Sequence, residues 1–398
     1  MKSRFDIFFS YGFRPFFLFC AIWGAFVMAA FLLWLGVSHT DRQFISLPIA
    51  MTPFVWHAHE MLFGFAIAAV AGFLLTAVPS WTGARAVHGM SLCVLSILWL
   101  LGRIGFGFSA YWSVEVTAAL ALAFIPVLGV FVIGALAKGW SKRNLIFVPL
   151  LGGFFAANLL VHLEFMGVID TGIEVGHRLA VDLLALLIAI IGGRVVPAFT
   201  TNALRRRGEE KLPVNRAPLN VAGIILVAAL TIADIGYPDA TATGWLAYAA
   251  AVVNAMRLAG WCGLRTISEP IVAVLHVGFA WLVIGLGLKG GAILGDTLSA
   301  ATALHALTAG AAGTMILAVM SRAALGHTGR PLVIGSATVF SYGMVTLGAL
   351  IRVVAPVFFP AYYNEGMLAA GFSWIAAFVI FAIVYWPVLT GPRVGREA

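Results

Sequence analysis

Apolar residues run along this chain in long blocks, separated by short polar breaks, from near the N-terminus to the last thirty residues. A helix needs about 20 mostly apolar residues to cross a hydrocarbon core of roughly 30 Å. Twelve blocks reach that length: 16–37, 56–79, 88–108, 112–137, 144–166, 175–199, 218–236, 242–263, 270–289, 297–320, 332–353 and 367–389. The pattern predicts an all-α, polytopic membrane protein, because a backbone in lipid must satisfy its hydrogen bonds within the segment. The first block lacks the short core and small-residue cleavage site of a secretory signal, so it reads as the first span.

Composition agrees: 62% of the 398 residues are hydrophobic and 10% charged, with mean hydropathy +1.02. The net charge of +8 is a matter of topology. One set of alternate loops holds Lys2, Arg4, Arg14, Arg85, Lys138, Lys142, Arg143, Arg205, Arg206, Arg207, Lys211, Arg216, Arg265, Arg322, Arg330, Arg393 and Arg396, whereas the other holds Arg42 and Lys289. Basic residues accumulate in cytoplasmic loops, which puts both termini in the cytoplasm. No basic patch is joined to a nucleic-acid-binding motif, so no nucleic-acid partner is expected.

Residues 1–398 read as one membrane domain. The basic loop 202–216, expected to be cytoplasmic, divides it into 1–201 and 217–398. Six plus six is a frequent transporter layout, yet no sequence repeat relates the two halves. Gly64, Ala68 and Gly72 recur every four residues, as do Ala306 with Gly310 and Ala309 with Gly313. Small residues at that spacing let helices approach closely, or make room for a flat cofactor.

Ionisable residues inside spans are costly and usually face a pathway, a relay or a ligand. At about 1.5 Å per residue, His57, His59 and Glu60 open the second span at its outer end, with His162, Glu164 and His177 at the same level, all within roughly 10 Å of the boundary. His305 lies roughly 12 Å deep from that side, and His276 about 10 Å from the inner side. Arg103, Arg178, Asp182 and Arg352 also belong to the outer half.

Any one of these histidines is readily explained as a buried imidazole bonded to a carbonyl. Five in one half, His57, His59, His162, His177 and His305, point to metal ligation, since neutral imidazole suits haem iron and copper; His276 is a further candidate. In a regular helix His57 and His59 lie about 200° apart while His57 and Glu60 share a face, which suggests two roles within the motif. Arg103, Arg178 and Arg352 are cationic partners for haem propionates, the alternative for Arg178 being an i,i+4 pair with Asp182. His327 reads as part of a polar turn. GxSxG, P-loop and HExxH patterns are absent, which removes the common hydrolase and nucleotide-driven classes. The three cysteines lie far apart and no CxxCH is present, so disulfides and covalent haem are not expected.

Five stretches, GFRPFFL (12–18), WHAHEMLFGF (56–65), GFLLTAVPSWTG (72–83), GHRLAVD (176–182) and HALTAGAAGTMILAVMSRAALGHTGR (305–330), resemble the NnrS family over nearly the whole chain. The resemblance implies a bacterial inner-membrane protein of twelve helices that contains haem and copper and acts in nitric oxide metabolism or resistance to nitrosative stress. It assigns no histidine to either metal.

Together these readings give a b-type haem and copper protein that binds or reduces nitric oxide. Glu60 or Glu164 would carry protons, and quinol or a small donor would supply electrons. A transporter for a metal, haem or small anion is the rival from another class, and it predicts ligands spread through the membrane thickness. A nitric oxide sensor or carrier without turnover would use the same ligands.

Overall fold

The computed structural model describes residues 3–38, 47–139, 141, 143–295 and 298–395. Lys2, Arg42, Lys142 and Arg396, which entered the charge argument, lie outside the described residues, as does position 297. Every regular element among the described residues is helical.

After a short helix Arg4–Phe8 come α1 Phe13–Ser38, α2 Pro53–Thr82, α3 Met90–Gly107, α4 Val114–Leu136, α5 Phe147–Phe165, α6 Gly172–Arg206 and α7 Ala217–Gly236. Then follow α8 Thr241–Ala259, α9 Pro270–Leu294, α10 Ala300–His327, α11 Ser336–Phe358 and α12 Pro360–Thr390. Eleven of these are long and apolar enough to cross a membrane. The twelfth expected span, α8, forms its helix, but its threonines, Asn254 and Arg257 keep it below that level of apolarity. Of the boundaries that moved, two bear on the loops read as polar. Buried Ala203 and Leu204 continue the apolar stripe of α6, so its helix runs on to Arg206, and His327 closes α10 where a turn was expected.

Two helices change gauge. In α2 the stretch Glu60–Ala66 is a π-helix, and in α10 the stretch Ala306–Gly313 is another. Each begins directly after a histidine, His59 or His305. π-Segments are rare and concentrate at functional sites, because the widened turn re-aims side chains.

A pattern by thirds accompanies this. His59, His177 and His305 each stand 23 positions before a threonine, namely Thr82, Thr200 and Thr328. All three threonine hydroxyls donate to the carbonyl four residues back, on Val78, Val196 and Ala324. Thr52, Thr171 and Ser299 precede the three helices at their N-termini, and left-handed glycines, Gly83 and Gly329, follow the first and third threonines. Helices α2, α6 and α10 therefore hold equivalent places in three successive sets of four, a spacing that a comparison of halves misses.

By contacts the chain forms two compact units, Met1–Ala180 with Ala323–Pro331 and Phe378–Ala398, and Val181–Arg322 with Leu332–Ala377. The loop at 202–216 lies within the second. Arg206 and Arg265 there pair with Glu269 and Glu209.

Lipid is as apolar as leucine, so close packing and polar contacts hold such helices together more than burial does. In the first unit, Gly72 admits Phe16 and Phe17 of α1, and a Cβ there would lie 2.7 Å from the Phe17 ring. Arg14 of the GFRPFFL stretch donates to the carbonyls of Leu389 and Gly391, both at 2.7 Å. It thereby satisfies the C-terminal carbonyls of α12, which have no partner within the helix. In the second unit Arg257 clamps its neighbours, donating to Asn220, Asn254 and the Ala189 carbonyl.

Candidate functional site

Thr52 and Pro53 start α2, Thr52 accepting the Val55 N–H. One turn later the change to π geometry at Glu60 brings two neighbouring side chains, His59 and Glu60, into the same interior; both are fully buried. A regular helix would have separated them and aligned Glu60 with His57. The π turn instead gives Glu60 to His59, with Nδ1 and Oε1 3.1 Å apart, and His57 stacks on Phe31 of α1 at 4.3 Å.

Glu60 is amply supplied with donors. Trp23 Nε1 donates to Oε2 at 2.7 Å, and Arg103 Nη1 donates to both carboxylate oxygens at 3.1 Å. A second indole, Trp99, donates to the Gly64 carbonyl in the π stretch at 3.1 Å. The Arg103–Glu60 pair is buried on both sides; breaking such a pair costs about 3–5 kcal/mol.

The other face of His59 fixes its protonation. Asn158 of α5 donates through Nδ2 to the Ala121 carbonyl, so its Oδ1 is the atom that meets His59 Nε2, 2.9 Å away. Nε2 therefore carries hydrogen, and a proton lies between Nδ1 and Glu60. The imidazole stacks on Phe106 with centroids 3.6 Å apart. To ligate a metal, His59 would have to surrender Asn158 or Glu60.

His162 is different. It lies one turn beyond Asn158 on α5, is fully buried, and stands edge-on to His59 at 5.5 Å and to Phe106 at 5.6 Å. Neither ring nitrogen has a hydrogen-bond partner. A buried imidazole in that condition demands a partner that the protein does not supply. His177 Nε2 is likewise buried without a partner. Gly176, beside it, packs onto the Ala157 carbonyl and Val161 of α5, drawing the start of α6 close to the helix that bears His162.

The remaining candidates scatter. Glu164 Oε2 accepts the Ile173 N–H at 2.6 Å, near the first residues of α6. Arg178 Nη1 donates to Glu174 at 2.7 Å, while Asp182 takes Lys289 as its cation. His276, in the second unit, is a bonded core histidine. Thr200 gives its hydroxyl proton to Val196, so His276 Nε2 donates to Thr200 Oγ1 at 2.8 Å. His305 Nδ1 donates to the Ala301 carbonyl at 2.7 Å, which leaves the lone pair on Nε2. Arg352 is half-buried on α11.

Among the described residues, no three His, Cys, Asp or Glu side chains gather into a metal-holding group. Haem needs only one or two axial imidazoles, and the free nitrogens of His162 fit that need; a three-histidine copper site is not assembled by these side chains. A groove of about 360 Å³ between α1 and α3 has Phe19, Trp23, Ser96 and Trp99 in its wall, so the two indoles that hold Glu60 and Gly64 also face it.

Trp23, Asn158 and Phe106 are site residues that the ionisable-residue reading missed. Asn158 had a signal: it is the one amide in an apolar stretch and sits four residues before His162. The family model described as NnrS protein matches residues 7–393. No curated protein matches the chain.

Proposed function

The chain belongs to the NnrS family and is a multi-pass membrane protein related to nitric oxide; from that premise we propose that it binds haem b through His162 and binds or reduces nitric oxide there. The single observation that carries this reading is His162, fully buried with two unsatisfied nitrogens. His177 Nε2 and His305, its lone pair directed to Nε2, are the further ligand candidates of their own units. When bound, haem iron supplies a reducible centre that coordinates nitric oxide. Copper belongs to the family expectation, and no residue is assigned to it.

The protein's own groups then have distinct tasks. Phe106 and His59 pack against the His162 ring and shield it from water. Glu60 and His59 hold a proton between them, next to the His162 ring, while Arg103 and Trp23 fix the carboxylate so that it cannot swing away. Glu60 is thus the better proton carrier of the two candidates, because Glu164 is engaged by a backbone N–H. Arg103 is committed to Glu60 and is not free for a propionate. The protein sits in the bacterial inner membrane with both termini cytoplasmic, and quinol or a small donor reduces it.

Absorption spectra of the purified protein, oxidised and reduced, with metal analysis, test this reading. Near-stoichiometric haem whose reduced spectrum shifts on adding nitric oxide is expected; a colourless, metal-free protein would sink it. Loss of nitric oxide against added reductant separates turnover from binding, and no acceleration above free haem leaves a sensor or carrier.

A further inference from the structure

Three of the stretches singled out in the sequence, GFRPFFL, GFLLTAVPSWTG and the closing LGHTGR, meet at one place in the first unit, away from the histidine site. The Phe13 N–H donates to Thr76 Oγ1 at 3.1 Å, and the Phe13 ring lies 5.7 Å from that of His327. The segment after α12 folds across the same loop, its Val394 N–H donating to the Thr328 carbonyl at 2.9 Å.

Two guanidinium groups flank Gly391 there. Arg14, 3% exposed, gives Nη1 to the carbonyls of Leu389 and Gly391. Arg330 reaches the same glycine, since its Nη2 lies 3.7 Å from where a Cβ on Gly391 would stand. Arg14 Nε and Arg330 Nη1 are both buried without a hydrogen-bond partner, and the two cations repel one another. A third cation, Arg393, acts on His327 from the segment after α12.

Arginines at the ends of spans ordinarily face water or an acid. Arg206, Arg207 and Arg265 in the second unit do so, paired with Glu269 and Glu209. Among the described residues, no carboxylate forms an ion pair with Arg14, Arg330 or Arg393. The carbonyl end of α12 offers roughly half a negative charge. Against it stand two guanidinium groups that stay charged at any working pH, so the place keeps surplus positive charge and buried donors without acceptors.

Forked guanidinium donors match the oxygens of a phosphate. Arg14 is the second residue of α1, His327 the last of α10 and Gly391 the first beyond α12. All three helices are long and apolar enough to cross a membrane, so the cluster stands at headgroup depth, where basic pockets between spans take anionic lipids. We propose that Arg14 and Arg330, with Arg393 and His327 beside them, bind the phosphodiester of an anionic phospholipid. The phosphate takes the free guanidinium donors and ties together the start of α1, the loop 328–330 and the segment after α12. A soluble phosphate has the same head chemistry but no acyl chains to hold it at this depth. The site stands apart from the haem reading and survives its failure.

Native mass spectrometry of the full chain in detergent, titrated with phosphatidylglycerol, phosphatidylcholine or inorganic phosphate, tests it. Wild type should bind one phosphatidylglycerol about tenfold more tightly than phosphatidylcholine. Arg330→Gln should lose about tenfold of that affinity, with circular dichroism unchanged because the Arg14 bonds to α12 remain; Arg393→Gln should lose less. Comparing two lipids on wild type needs no variant, so a misfolded mutant does not remove the test. Equal affinity for both lipids, or phosphatidylglycerol binding unchanged in Arg330→Gln, would overturn the proposal. Displacement of the lipid by millimolar inorganic phosphate would overturn it in favour of a free phosphate-bearing anion. Glu397, outside the described residues, is the acid nearest to Arg393 in sequence. Glu397→Gln should leave lipid binding as it was, and a gain would overturn the proposal by showing that the chain fills the site itself.

Discussion

The two buried clusters are built from the same residue types in different proportions. In the first unit one carboxylate, Glu60, receives an arginine, an indole and a contact from His59; in the second, one lysine, Lys289, meets two carboxylates, Asp182 and Asp234. Surplus donors freeze a carboxylate and make a rigid wall, which is what a ligand site beside His162 requires.

Cutting the cation from each cluster gives the sharpest contrast. Arg103→Leu should cost about 3–5 kcal/mol, since it breaks a buried pair and takes from Glu60 the donor to both its oxygens. Lys289→Met should cost less, about 1–3 kcal/mol, because the two aspartates can take up protons to compensate. Denaturant unfolding in detergent, followed by circular dichroism, measures both, and equal losses would erase the distinction drawn between the clusters.

Next in size come the glycines. Gly64→Ala and Gly310→Ala should each lose about 1–3 kcal/mol by pressing a Cβ into Trp23 or Trp281, whereas Gly343→Ala, with open space around it, should be neutral or slightly stabilising. Differential scanning of the three variants checks this, and a tolerant Gly310 would weaken the equivalence of α2 and α10. Smallest are the threonines. Thr82→Val and Thr328→Val should change stability by under about 1 kcal/mol, and Thr200→Val by more, because it alone also strips His276 of its partner.

Much of this was legible in the sequence. Blocks of apolar residues declared the helices, since a span is set by length and hydropathy alone, and α8 fell short only where Asn254 and Arg257 dilute it. The histidines announced themselves by being costly in lipid. What the sequence withheld was their orientation: a 100° helix rule placed Glu60 with His57, and the π turn gave it to His59. The donor count was equally hidden, because it depends on Trp23, Asn158 and Lys289 arriving from helices far away in sequence. The spacing by thirds was present throughout as three histidine–threonine intervals, and became visible once the hydroxyls of Thr82, Thr200 and Thr328 proved to make the same bond.

The measurement closest to the central claim compares two histidines in one purified protein. His162 makes no hydrogen bond and His276 makes a good one. His162→Ala should therefore abolish the Soret band with little change in helical content, while His276→Ala keeps the band and loses stability. A full Soret band in His162→Ala would contradict the account.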